Sequence, residues 1–165
     1  MKAIEFSKTR MTMVLRIIAA AAAITAAIVM LTNKDTVFRP TCYQIKYLNL
    51  QAYVYFVVAN LIAGIYTLLV LLIPANSLLW RTIVAVDAVM CMLVSAANSA
   101  ALTASLLEKK GNKYVGWNSI CDSISSFCVQ AFAAISVSLL GLFAFLVLLL
   151  FSIHNVLNPL LVEDD

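Results

Sequence analysis

Two full charges of opposite sign lie inside apolar runs: Arg16 in MTMVLRIIAAAAAITAAIVML, and Asp87 in TIVAVDAVMCMLVSAANSAALTASLL. In a bilayer, an unpaired charge near the centre of a span costs on the order of 2.5–3.5 kcal/mol. Each residue needs a partner, a watery cavity or a change of protonation. Both lie about five residues into their runs, which at 1.5 Å per residue sets them at a matching depth of about 7–9 Å. An intramembrane ion pair is the expectation. The competing reading has Arg16 snorkelling to the headgroups and Asp87 hydrated or protonated. On a helix, Cys91, Ser95 and Asn98 fall within about 80° of Asp87. With Asn60 in another run, Ser95 and Asn98 form an expected polar face for helix packing.

Four cysteines are present: Cys42, Cys91, Cys121 and Cys128. Cys91 lies within an apolar run and reads as a packing residue. Cys121 and Cys128 are seven positions apart, a separation that a helix end followed by a turn can bridge if the Cα atoms approach to about 4.4–6.8 Å. A disulfide between them is expected, with Cys42 paired to either one as the rival. The single His154 has no clustered Cys, Asp or Glu, so no metal and no cofactor are expected. No nucleophile with a positioned base and no glycine-rich phosphate loop occurs, and an enzyme is not expected.

These residues must be positioned by apolar helices. Spans are expected at about 11–31, 52–73, 82–107 and 127–153, flanked by polar tails at 1–10 and 154–165. The fold class is then an all-α membrane protein, a four-helix transmembrane bundle. Hydrophobic residues make up 64% of the chain, charged residues 12%, and the mean hydropathy is +1.00; a soluble core of this size could not hide so much apolar surface. Ala20, Ala23 and Ala27 share a face with Arg16, and Tyr53, Asn60, Gly64 and Thr67 share another, so both faces should point into the bundle. Tyr53, Tyr55 and Phe56 suit an interfacial aromatic belt, and Trp117 suits an outer-loop contact. No basic patch with interleaved aromatics occurs, so no nucleic acid is expected as a partner. Four spans put both termini on one side. The basic residues divide four (Lys2, Lys8, Arg10, Arg81) against six (Lys34, Arg39, Lys46, Lys109, Lys110, Lys113) between the two sides, so charge alone does not fix which side is cytoplasmic.

Three blocks carry a family resemblance. They are AYVYFVVAN at Ala52–Asn60, the Asp87-bearing start of the third run matched with Arg16, and a loop with Gly111, Asn112, Trp117, Ile120, Cys121, Phe127 and Cys128. Together they resemble the Casparian strip membrane domain protein-like family of land plants, related to the four-span MARVEL proteins. The resemblance runs from about Met11 to Phe151. It implies a plasma-membrane protein with cytoplasmic termini that associates with itself and with related members. It further implies stable membrane domains that gather cell-wall-modifying enzymes. The family's intramembrane Arg and Asp fall on Arg16 and Asp87, and its loop cysteines on Cys121 and Cys128. The acidic, Phe-rich first-loop signature of the Casparian strip members proper is absent from Asn33–Leu50, so the likeness is to the wider group. A non-enzymatic membrane scaffold is the expected function. The alternative is a small ion or proton channel or transporter using Arg16 and Asp87.

Overall fold

Each apolar run becomes one long helix, because within a bilayer only internal hydrogen bonds satisfy the backbone. The computed structural model describes residues 2–37, 43–73, 80–112, 114, 116, 118–122 and 124–162. The helices are α1 (Lys2–Leu31), α2 (Gln51–Leu71), α3 (Trp80–Lys110) and α4 (Ser125–Val162). Each contains a segment long and apolar enough to cross a membrane: Arg10–Leu31, Gln51–Leu71, Thr82–Lys110 and Ser125–His154. The chain is a multi-pass membrane protein with an all-α, four-helix bundle.

Helix α1 packs on both α2 and α4, and α3 closes the bundle against the same two. Alanines make this possible. Ala19, Ala20, Ala23, Ala26 and Ala27 are all buried, and with no side chain beyond Cβ they let neighbouring backbones come close. The glycines of the facing helices do the same. A Cβ on Gly64 of α2 would stand 2.7 Å from Ile24 Cγ1, and one on Gly141 of α4 would stand 3.0 Å from Ala22 Cβ. Larger apolar side chains fill the end of the core near the α1–α2 connection, where Met30, Tyr53, Phe56, Phe127 and Ile135 pack together. The outer surface is apolar, with Ile17, Ile18, Leu69, Met92, Leu140 and Phe143 exposed. Water would not tolerate such a surface, but acyl chains solvate it.

Several elements depart from the sequence reading. The first connection contains a short antiparallel hairpin of β1 (Lys34–Val37) and β2 (Tyr43–Lys46), followed by a 3₁₀ turn at Tyr47–Asn49. The polar N-terminal tail continues α1 from Lys2, and α4 runs past His154 to Val162. Helix α3 also outlasts its apolar run, so Glu108 lies on a helix and not in a loop. The described residues between Asn112 and Ile124 are turns, a bend and irregular backbone, with no helix among them. Cys42, Trp117 and residues 74–79 and 163–165 lie outside the described residues, as do the side chains of Trp80 and Arg81.

Candidate functional site

Polar side chains inside the bundle are arranged in three tiers. At the end nearest the termini, Arg16 of α1 meets Asp87 of α3. Arg16 Nη1 donates to Asp87 Oδ1 at 3.2 Å and Nη2 donates to Oδ2 at 2.7 Å. The side chains are 4% and 0% exposed. This two-bond geometry matches the planar guanidinium to the planar carboxylate and strengthens the pair beyond simple charge proximity. Tyr66 of α2 adds a third bond, its hydroxyl lying 2.9 Å from Asp87 Oδ1 and 3.2 Å from the Ile83 carbonyl. Three helices are thus tied at one depth.

The middle tier is uncharged. Ser138 Oγ of α4 donates to Asn60 Oδ1 of α2 at 2.8 Å, and Asn98 Nδ2 of α3 donates to Ser138 Oγ at 2.9 Å. Asn60 and Asn98 also donate to carbonyls one turn back, Phe56 and Val94. Asn98 Oδ1 is buried and has no partner among the described residues. Ser95 stands apart from this face and is exposed. The reason is angular. The buried stripe of α3 passes through Asp87, Val94, Asn98, Ala101 and Ser105, and Ser95 lies about 80° to one side of Asp87. Its neighbours Ser99 and Thr103 are exposed too, with hydroxyls bonded back to their own helix.

The third tier lies at the far end. Tyr53 Oη donates to Glu108 Oε2 at 2.5 Å, joining α2 to α3. Tyr53 is fully buried and its ring leans on Phe127, centroids 6.1 Å apart. It is therefore a core residue, on the inward face it shares with Asn60, Gly64 and Thr67; of the three aromatics that suit a belt, Tyr53 and Phe56 are buried and Tyr55 is exposed. Around this tier the connections fold back on the helices. The amides of Ile120 and Cys121 donate to the Glu108 carbonyl at 2.9 and 3.4 Å. Gly111, at φ 65°, ends α3 with its amide on the Leu107 carbonyl, a backbone conformation glycine adopts without strain. Cys121 and Cys128 are disulfide-bonded with Cα atoms 5.8 Å apart. Asn33 Nδ2 reaches the Phe127 carbonyl at 3.1 Å, and Gln130 bonds Val29 O and Thr32 Oγ1.

The geometry brings Arg16, Asp87, Asn60 and Asn98 into the interior, Cys121 to Cys128, and leaves Ser95 outside. Sequence reasoning missed Tyr66 and Glu108. Glu108 could have been found by continuing the Asp87 face: it lies 21 residues on, about 60° from Asp87 after nearly six turns. No comparable signal marked Tyr66, which sits among ordinary apolar residues. Among the described residues, no group of three His, Cys, Asp or Glu could hold a metal ion.

A family model for the Casparian strip membrane protein domain matches residues 6–144, taking in the first three spans and most of the fourth. The chain belongs to that family. Its relatives include CASP-like protein 1C1 of Arabidopsis thaliana, 39% identical over 154 residues, which is 93% of this chain and 94% of the relative. CASP-like protein 1C2 of Populus trichocarpa is 39% identical over 155 residues, 93% and 96% of the two chains. CASP-like protein 1C2 of Vitis vinifera is 38% identical over 144 residues, 87% and 89% of the two chains. No solved structure matches the chain. In this family member the disulfide and the Glu108 carbonyl hold the third connection against the bundle, and the Arg16–Asp87 pair holds the opposite end.

Proposed function

We propose that this protein is a non-enzymatic plasma-membrane scaffold, with both termini cytoplasmic, that self-associates into membrane domains and gathers cell-wall-modifying proteins. The observation that carries this reading is that the polar side chains of the first two tiers bond chiefly to one another across the helices. Arg16, Asp87 and Tyr66 bond one another, as do Asn60, Ser138 and Asn98. What faces outward is apolar surface interrupted by small residues, including Ser95, Ser99 and Thr103 on α3. Close lateral packing of helices in lipid favours such surfaces. Family membership supports the same reading through the wider group's association with itself and with related members.

The test is particle mass in lipid nanodiscs, together with stepwise photobleaching of a labelled chain in a supported bilayer. Oligomers are expected, and a strictly monomeric particle at membrane-like density overturns the self-association. Topology is tested separately. Thiol labelling of reduced, intact cells should reach Cys121 and not a cysteine introduced at position 2.

A second reading, an ion or proton channel, draws on the presence of an ionisable pair within the spans. Flux across sealed vesicles that disappears in Asp87→Asn would favour it. The two-bond clasp and the added Tyr66 hydroxyl favour the structural role, because an engaged carboxylate must first lose its partners to carry a proton.

A further inference from the structure

At the Glu108 end of the bundle a pocket of about 280 Å³ opens between α3 and the connections. Its walls are Leu50, Ala104, Leu107 and Ile120, with Glu108 and Asn118 as the polar lining residues. Glu108 is only 7% exposed and its Oε2 accepts from Tyr53. Among the described residues, Oε1 has no donor and is not one of the fully enclosed atoms. The pocket is therefore apolar, with one carboxyl oxygen left to pair. Glu108 is two residues from the end of α3 at Lys110, about 3 Å along the helix axis. Lys109 and Lys110 are exposed there, as expected where lysine side chains reach the headgroups. The roof is held in place: the Ile120 amide bonds the Glu108 carbonyl and the adjacent Cys121 is tied to Cys128. Such a preformed site avoids much of the ordering cost of binding.

We infer that this pocket binds the hydroxyl end of a sterol-type membrane lipid, with the hydroxyl on Glu108 and the first rings against Leu50, Ala104, Leu107 and Ile120. The chemistry selects this occupant. A hydroxyl both donates and accepts, so a single carboxyl satisfies it in either protonation state. An ammonium headgroup carries several donors and would leave most of them unmet against apolar walls. A phosphate would face a carboxyl with no cation lining the pocket among the described residues. The volume lies just below the range of about 300–1,000 Å³ typical of sites that enclose a small molecule. It therefore takes the polar end of a rigid lipid and leaves the rest along the exposed face of α3. Sterol hydroxyls lie at the boundary between headgroups and hydrocarbon, which is the depth of Glu108. The inference needs a bilayer but neither orientation of the chain nor self-association.

The experiment uses the full-length protein in phosphatidylcholine nanodiscs containing a trace of photoreactive sterol with a free ring hydroxyl. Cross-links should map to the segments around Ala104–Leu107 and Ile120. Unlabelled sterol should compete, and the same sterol with its hydroxyl acetylated should compete about tenfold less well, as expected for the loss of one well-made bond. Ala104→Phe fills the pocket while keeping both Tyr53 and Glu108 in the chain and should abolish that labelling. Leu102→Phe, about 160° around α3 from Ala104 and outside the pocket lining, should leave it unchanged. If Ala104→Phe fails to yield a monodisperse particle with the Cys121–Cys128 bond formed, Leu107→Trp at an exposed wall position replaces it with the same expectation. Labelling spread evenly over the four helices overturns the inference. So does pocket labelling that ignores the filling variant or the acetylated competitor, or that is displaced by phosphatidylethanolamine.

Discussion

The two ends of the bundle solve the same problem by different means. Each buries a carboxyl on α3 and bonds it to a tyrosine of α2: Asp87 to Tyr66 at one end, Glu108 to Tyr53 at the other. Asp87 also has a cation, and Arg16 occupies both of its oxygens. Glu108 has no such cation among the described residues; its end is held instead by a disulfide and by backbone bonds from the third connection. The first end is electrostatic and closed. The second is covalently fastened and keeps a carboxyl oxygen beside an apolar pocket. The difference teaches that a buried carboxyl can be structural in one place and receptive in another, depending on whether its acceptor capacity is filled.

The largest effect should come from stranding a charge. Arg16→Ala leaves Asp87 buried without its cation, and Asp87→Ala leaves Arg16 without its anion. Each single change should destabilise the protein by about 3–5 kcal/mol. The double change should cost less than the sum, and the exchange Arg16→Asp with Asp87→Arg should recover part of the loss. Equilibrium unfolding in mixed micelles measures all four. Additive effects, with coupling below about 0.5 kcal/mol, would remove the pair as the fastening of this end.

The other end should respond less strongly. Replacing Cys121 and Cys128 together by Ser opens a short loop, for which chain entropy predicts a loss of about 2–3 kcal/mol. The opened end should also exchange amide hydrogens faster around Ile120, while the amides near Asp87 are unaffected. Mass spectrometry with hydrogen exchange reads both. Equal acceleration at the two ends would mean that they are not independent fastenings.

The closed end was largely legible in the sequence and the receptive end only in part. Arg16 and Asp87 stand out because an ionisable residue inside an apolar run has few explanations, and equal spacing from the run starts fixed their relative depth. Gly64 and the alanine face were readable for a similar reason, since small residues at helical spacing signal close approach. Glu108 was hidden by its neighbours: followed by Lys109 and Lys110, it looks like the first residue of a polar loop. The helix continues because Glu and Lys are good helix formers, and a count of apolar residues cannot see that. Tyr53 was read two ways, on the inward face with Asn60, Gly64 and Thr67 and in the belt with Tyr55, because tyrosine near a span end satisfies both patterns; the position of Glu108 across the helix interface makes it a core donor. The hairpin of β1 and β2 was not read at all, its four-residue strands being too short to show alternation. Ser95 shows the limit of a face drawn from one residue: taking Asp87 as the centre made the stripe too wide on one side.

The two tyrosines give the finest comparison. Both donate to a carboxyl, and Phe in place of either keeps the ring and removes only the hydroxyl. Tyr66→Phe leaves Asp87 with both of its Arg16 bonds, and the Ile83 carbonyl already serves its own helix. The cost should be that of one ordinary hydrogen bond, about 0.5–1.5 kcal/mol. Tyr53→Phe removes the one side-chain bond that Glu108 makes among the described residues and leaves a buried carboxyl facing an apolar ring. That should cost more, about 1.5–3 kcal/mol, the range for bonds to charged groups or for an unsatisfied buried partner. A second substitution separates the causes. Adding Glu108→Leu to Tyr53→Phe removes the stranded acceptor and should return part of the stability, whereas Tyr66→Phe offers no such rescue through Asp87→Leu, which would strand Arg16. Unfolding free energies of these four variants decide the matter. If the two Phe substitutions cost the same, Glu108 has another donor once the phenol is gone, and the asymmetry between the ends is one of fastening alone.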